Sequence, residues 1–220
     1  MSIHALPLPQ STDVQAAPDL LTGLQQRRKR AVLISGLLLL AALLFSDSLW
    51  PSGSLLHESS ELLGYALIFL CIAGRSWCSL YIGGRKKTQL VEDGPYSVSR
   101  NPLYLFSLFG GIGVGLQTGS FTAALVCGLF VFAIFNIVIQ REEVFLNAHF
   151  PASFTAYAAR VPRWGPRLSH WQSREELLVR PRFVLLTFRD ALGFLVAIPL
   201  LEAVEWAQSV GWLPVLLRLP

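Results

Sequence analysis

Residues 121 to 139 read FTAALVCGLFVFAIFNIVI, nineteen positions without one charged side chain, followed after Gln140 by Arg141, Glu142 and Glu143. As a helix rising 1.5 Å per residue this run is about 28 Å long, which matches a bilayer's hydrocarbon core of roughly 30 Å. The rest of the chain agrees. Of its 220 residues 53% are hydrophobic and 15% charged, with a mean hydropathy of +0.50. Soluble domains carry roughly 25% charged residues, so an ordinary soluble globule is excluded, and low-hydrophobicity disorder is excluded with it. The net charge of +4 comes from positives clustered beside apolar segments. That is the pattern of loops at a membrane surface, and no nucleic-acid partner is expected.

On either side of this run, further apolar segments cover 31 to 49, about 61 to 82, 103 to 116 and 183 to 206. The expected fold class is all-α, a polytopic membrane protein with about five transmembrane helices. Residues 1 to 26, rich in Pro, Ser, Gln and Ala, are expected to be a mobile tail, and residues 27 to 220 a single domain. The segment after Arg27, Arg28, Lys29 and Arg30 has no small-residue cleavage site behind it and is read as a retained span, not a signal peptide. Gln117 to Ser120 make a tight hairpin turn. Pro199 makes the last segment either one kinked helix or the start of a re-entrant hairpin. Lys and Arg fall in alternate loops: at 27 to 30, at 85 to 87 with Arg100, and throughout 141 to 182. By the positive-inside rule those three regions are cytoplasmic, and the cationic loops suit a bacterial-type inner membrane.

Two polar stretches thereby meet on one side. The first, GGRKKTQLVEDGPYSVSRNPLY at 83 to 104, has rigid corners at Gly94-Pro95 and Asn101-Pro102, the second leading into a helix with proline in its first turn. Between and beside the corners, Tyr96, Arg100 and Tyr104 can be presented together, an aromatic wall and a cation suited to a flat polar metabolite. Tyr and Arg are also common interfacial anchors. The second stretch starts at Arg141-Glu142-Glu143. Carboxylates oppose the macrodipole at a helix C-terminus, so the helix is expected to continue past them, which lets Glu142 point sideways into a site at the membrane surface, the alternative being that both glutamates are solvated or paired with Arg141.

Other features carry less chemistry. Cys71, Cys78 and Cys127 sit in apolar runs without zinc-ligand spacing, and His149 has no His or Cys partner at such spacing, so no metal is expected. The GGIGVG run at 110 to 115 follows no strand and is read as glycines for close helix packing. Glu58 and Glu61 open a span at the interface. Arg75, Arg189, Asp190, Glu202 and Glu205 lie in or near apolar segments, where ionisable groups are costly unless paired; for Glu202 and Glu205 no partner is legible.

Taken together, these stretches resemble the isoprenylcysteine carboxyl methyltransferase and phospholipid methyltransferase family of integral membrane enzymes. The resemblance rests on Leu90-Val91, Gly94-Pro95-Tyr96 and Arg100-Asn101-Pro102-Leu103-Tyr104, then an apolar hairpin, Glu142-Glu143, and finally Phe150, Phe154, Tyr157 and Val161-Pro162-Arg163, over about residues 80 to 166. It implies a cytoplasm-facing pocket for S-adenosylmethionine and transfer of a methyl group to a small or lipid-like acceptor arriving through the bilayer. By position, the resemblance assigns the cofactor to Gln89, Leu90, Val91, Tyr96, Arg100, Asn101, Pro102, Leu103, Tyr104 and Glu142, with Arg141 or Arg163 holding its carboxylate or an anionic substrate. The chain departs from the family in three places. Asn101 stands where a His is usual and cannot titrate near neutral pH, Pro151 replaces a Gly, and Phe154 replaces a Tyr.

The acceptor atom, whether carboxylate oxygen, thiol or amine, is left open. Two other readings stand beside this one. A sterol-reductase-like membrane reductase shares a Gly-x-Tyr to Arg-x-Pro-x-Tyr signature and needs NADPH, for which no dinucleotide fingerprint is visible. A non-enzymatic transport or scaffold protein would account for the intramembrane charges, but no internal repeat accompanies them.

Overall fold

The computed structural model describes residues 33–85 and 88–220. The tail at 1 to 26, the basic run at 27 to 30, and Lys86 and Lys87 lie outside the described residues. Helix α1, Leu33–Leu44, carries the chain from a first unit ending at Ala42 into a second, Leu43–Pro220. Among the described residues, the second unit holds every remaining helix and both strands.

Helix α2, Leu55–Ile82, is capped by Ser54, whose hydroxyl accepts the His57 N–H. A one-turn helix α3, Pro95–Val98, leads to α4, Pro102–Leu116, and a tight turn then joins α4 to α5, Phe121–His149. Ser120 caps α5 by accepting from the Ala123 N–H. Helix α6, Pro151–Arg160, begins on a proline, where a missing N–H costs nothing. A 3-10 turn at Leu168–His170 and the long helix α7, Pro181–Ser209, complete the helical part. Helices α2, α5 and α7 are long and apolar enough to cross a membrane, and α1 and α4 are shorter apolar helices. Leu125, Leu129, Val196 and Leu200 stay exposed on the long helices, as suits contact with lipid chains. The protein is an all-α membrane protein.

Helix α4 lies against both α2 and α5, and α7 packs on α2. The glycine run of α4 permits this. A side chain on Gly113 would strike the Gly64 carbonyl and Ile68 on α2, and one on Gly115 would strike Ala124 on α5. The reading of these glycines as packing positions holds, and so does that of Pro102 in a first turn.

Two expectations are corrected or resolved. The span expected over 31 to 49 ends as a helix at Leu44, because the next carbonyls are taken from outside: Gln208 Nε2 donates to Leu44 O at 3.0 Å, and the backbone N–H of Leu216 donates to Phe45 O at 2.8 Å. Ser46–Ser48 forms strand β1, paired in parallel with β2, Leu217–Leu219, in register Ser46 with Leu217. The segment from 183 onward is one continuous helix through Pro199, not a hairpin.

Candidate functional site

The site begins at Gly94, whose positive φ of 58° is open to glycine and whose missing side chain leaves room for the Tyr81 ring. From this corner the backbone from Gly94 to Asn101 is stitched to a distant segment. Gly94 N–H donates to Gln172 O at 2.7 Å, Arg167 N–H to Val98 O at 2.9 Å, and Arg100 N–H to Pro162 O at 2.9 Å. The Ser99 hydroxyl donates to Trp164 O at 3.1 Å. Asn101 serves the same seam, donating from Nδ2 to Arg163 O at 3.1 Å. The seam is a neutral amide contact, and nothing in it calls for a titratable ring at position 101.

Helix α6 closes over the seam. Phe154, Tyr157 and Val161 form a buried cluster against Leu90, Leu146 and Phe150. The Tyr157 hydroxyl donates to Tyr96 O at 2.8 Å. Burial pushes the phenols of Tyr96 and Tyr157 above the usual tyrosine range, so both stay neutral donors at physiological pH.

A cavity of about 340 Å³ opens between these elements and the Arg141 end of α5, within the roughly 300–1,000 Å³ of small-molecule sites. Gln89, Leu90, Val91, Tyr96, Arg100, Asn101, Leu103, Tyr104, Arg141 and Glu142 all line it. Pro102 and Arg163 do not. Helix α5 does run past its carboxylates to His149, and the wall it adds includes Val138, Phe145 and Leu146. The lining is mostly apolar with a few polar groups. Tyr104 donates to Glu142 Oε1 at 2.6 Å and stacks on Phe135 with ring centroids 4.8 Å apart. The Tyr96 hydroxyl is buried in the cavity wall without a hydrogen-bond partner among the described residues.

Glu143, one residue on, also borders the cavity, but its carboxylate is taken by two arginines. Its carboxylate takes Arg163 through Nε at 3.1 Å and Nη2 at 2.5 Å, and Arg100 Nη2 lies 3.1 Å away. Arg100 also donates to Ala158 O at 2.8 Å. The hydrogen bond to Glu143 raises the Arg163 pKa further. Arg163 is therefore engaged in joining α5 to the segment after α6, away from the cavity lining, while Arg141 is the arginine that reaches the lining from α5. Glu143 stood in the sequence only as the neighbour of Glu142 in a motif, without a role of its own, because its partners lie 43 residues before and 20 after and leave no local pattern. The α5 wall residues were equally silent, being apolar positions in an apolar helix.

Comparison with known proteins supports the same region. A family model described as phospholipid methyltransferase matches residues 62–153. The chain is 37% identical over 174 residues to the nickel-cobalt-cadmium resistance protein NccN of Alcaligenes xylosoxydans xylosoxydans, covering 79% of each chain. It is 36% identical over 172 residues to the cobalt-zinc-cadmium resistance protein CzcN of Cupriavidus metallidurans, covering 78% of this chain and 79% of that one. No solved structure matches. With the helical membrane fold, the paired motifs facing one cavity and these matches in hand, the chain belongs to the phospholipid methyltransferase family.

Proposed function

We propose that this membrane methyltransferase binds S-adenosylmethionine in the α3–α4–α5–α6 cavity and methylates a small or lipid-like acceptor. The observation that carries the reading is the convergence of Gln89 to Val91, Tyr96, Arg100 to Tyr104 and Glu142, from two halves of the sequence, on one cavity. The residues fit the group. The unpartnered Tyr96 hydroxyl offers a buried hydrogen bond, Glu142 offers a carboxylate to ribose hydroxyls or an ammonium, and Arg141 offers a cation to a carboxylate. When bound, the cofactor supplies an electrophilic methyl on a sulfonium.

The remaining work falls to the chain. Methyl transfer to an electron-rich atom needs alignment and exclusion of water more than it needs an acid, a base or a metal. The Tyr104 ring, backed by Phe135 and anchored by Glu142, gives a fixed aromatic face, and cation–π attraction there is worth on the order of 1 kcal/mol. Leu90, Leu146, Phe154 and Tyr157 dry the opposite wall. A second cavity of about 450 Å³ shares Ile82 and Leu103 with the first and is bounded by Arg75, Phe183 and Thr187 on the membrane-spanning helices. It is a route for an acceptor entering from the bilayer. Arg75, with its Nε unpartnered, favours an acceptor that carries negative charge.

In this reading residues 27 to 220 act as one methyltransferase domain, with the cavity facing the cytoplasm of a bacterial inner membrane. By likeness to NccN and CzcN, we place its activity in resistance to divalent transition metals. The test is calorimetric titration of the detergent-purified protein with S-adenosylmethionine, with Glu142→Ala and Tyr104→Ala in parallel. Saturable binding lost in both variants supports the proposal. Absence of binding in wild type, or NADPH binding in its place, overturns it in favour of the reductase reading.

A further inference from the structure

The cavity uses one end of α2, at Ile82. At the other end of the same helix, 21 residues and about 32 Å along the axis, the structure gathers a second set of functional side chains. His57 and Glu61 are four residues apart on α2 and share a face, and Glu205 reaches them from the last turns of α7. His57 Nε2 lies 3.3 Å from Glu61 Oε1 and 3.9 Å from Glu205 Oε1. One donor atom from each residue falls within 4.8 Å of the other two.

These separations suit a shared cation. An ion held tetrahedrally at 2.0–2.2 Å by imidazole nitrogen and carboxylate oxygen sets its ligand atoms about 3.3–3.6 Å apart. Small rotations of two glutamates that are only partly buried bring the observed separations to that spacing.

The local charge points the same way. In the ion pairs among the described residues, no Lys or Arg joins Glu61 or Glu205. Even a charged imidazole leaves one carboxylate uncompensated, and Glu205 sits near the negative pole of α7. His57 itself is 4% exposed and its Nδ1 is buried without a partner among the described residues, so its ring turns only Nε2 to the carboxylates. The Ser52 hydroxyl donates to Glu205 Oε1 at 2.6 Å and fixes that arm, while Asp47 of β1 borders the same small cavity as His57 and Glu205.

We propose that His57, Glu61 and Glu205 form a binding site for a divalent transition ion of the zinc and cobalt class, at the membrane surface opposite the methyltransferase cavity. Three ligands of imidazole and carboxylate type select such ions over calcium or magnesium, which take oxygen alone. One coordination position stays open to water. The site clamps the start of α2 to the end of α7, and its ligands, 148 residues apart at the widest, belong to no local motif. It rests on its own geometry and not on the methyltransferase reading.

The test uses the full-length protein, purified in detergent without a polyhistidine tag and stripped of metal. It is titrated with Zn²⁺ alone by calorimetry and with Co²⁺ alone by visible absorption, with no methyl donor or acceptor present. The expected result is one equivalent per chain, with a Co²⁺ spectrum typical of nitrogen and oxygen ligands. Glu205→Gln and Glu61→Gln, which leave the buried histidine in place, each weaken binding about tenfold or more. His149→Ala and a Cys71, Cys78 and Cys127 triple alanine variant leave it unchanged. Absence of saturable binding by the folded wild type overturns the proposal, as does binding that survives both glutamine variants or shows thiolate charge-transfer bands. Because no methyl donor is present, failure here leaves the cofactor titration of the first cavity untouched.

Discussion

Tyr104 on α4 donates a 2.6 Å hydrogen bond to Glu142 on α5, so two residues 38 positions apart hold the mouth of the cavity as one unit. Hydrogen bonds to a charged group contribute about 1.5–3 kcal/mol, and this one also sets the tilt of the aromatic face. Tyr104→Phe keeps the ring and its stacking on Phe135 while removing the anchor. It is expected to weaken S-adenosylmethionine binding by roughly tenfold to a hundredfold with little change in helix content, read by calorimetry and circular dichroism. Equal affinity in wild type and variant would remove the anchoring role.

Glu143 predicts the reverse pattern. Glu143→Gln strands Arg100, whose side chain is 13% exposed, and releases the more exposed Arg163. Losing one partner of a buried pair costs about 3 kcal/mol, so the variant is expected to melt at a clearly lower temperature than Glu142→Gln in the same detergent. A double-mutant cycle with Arg163→Gln should recover only part of the loss, because Arg163 is the half-exposed partner.

The buried phenols set the alkaline limit. Tyr96 and Tyr157 have folded-state pKa values raised by burial above the 10.0 of a free tyrosine. Their contribution to stability is complete below pH 10 and declines as pH rises above it, since the unfolded chain then releases protons that the folded chain keeps. In an ultraviolet titration these two of the five tyrosines should yield phenolate only as the protein unfolds. Phenolate from all five in a protein still folded at pH 10.5 would contradict the burial described.

Close packing of α4 makes a stability prediction with an internal control. Gly113→Ala forces a methyl group against the Gly64 carbonyl and Ile68, and overpacking of this kind costs about 1–3 kcal/mol. Gly165→Ala meets nothing within 4 Å and is expected to be silent. Thermal unfolding of the two variants should differ accordingly.

The spans were legible where a long apolar run met a strong stop signal, as at Ser120 and Pro102. Pro102 and the hairpin turn at 117 to 120 are local signals, decided by residues a few positions apart. The end of α1 was not, because Gln208 and Leu216 decide it from the far end of the chain. The same distinction divides the candidate site. Tyr96, Tyr104 and Glu142 stood out through corners and charge placement, whereas the Glu143 clamp and the His57, Glu61 and Glu205 cluster exist only once α5 and α7 are in place. Pro199 was ambiguous for a related reason: neighbouring helices determine whether a membrane helix tolerates a proline.

The β1–β2 ribbon has a bearing on how the protein is made. Strand β1 emerges early in synthesis, but its partner is translated about 170 residues later, and the Thr122 N–H and Ser120 hydroxyl wait for the carbonyl of Pro220. The hairpin between α4 and α5 therefore enters the bilayer with this edge unfinished, and the segment from Leu217 to Pro220 acts as the latch. Synthesis of β2, not insertion of the spans, is the moment at which that surface becomes complete.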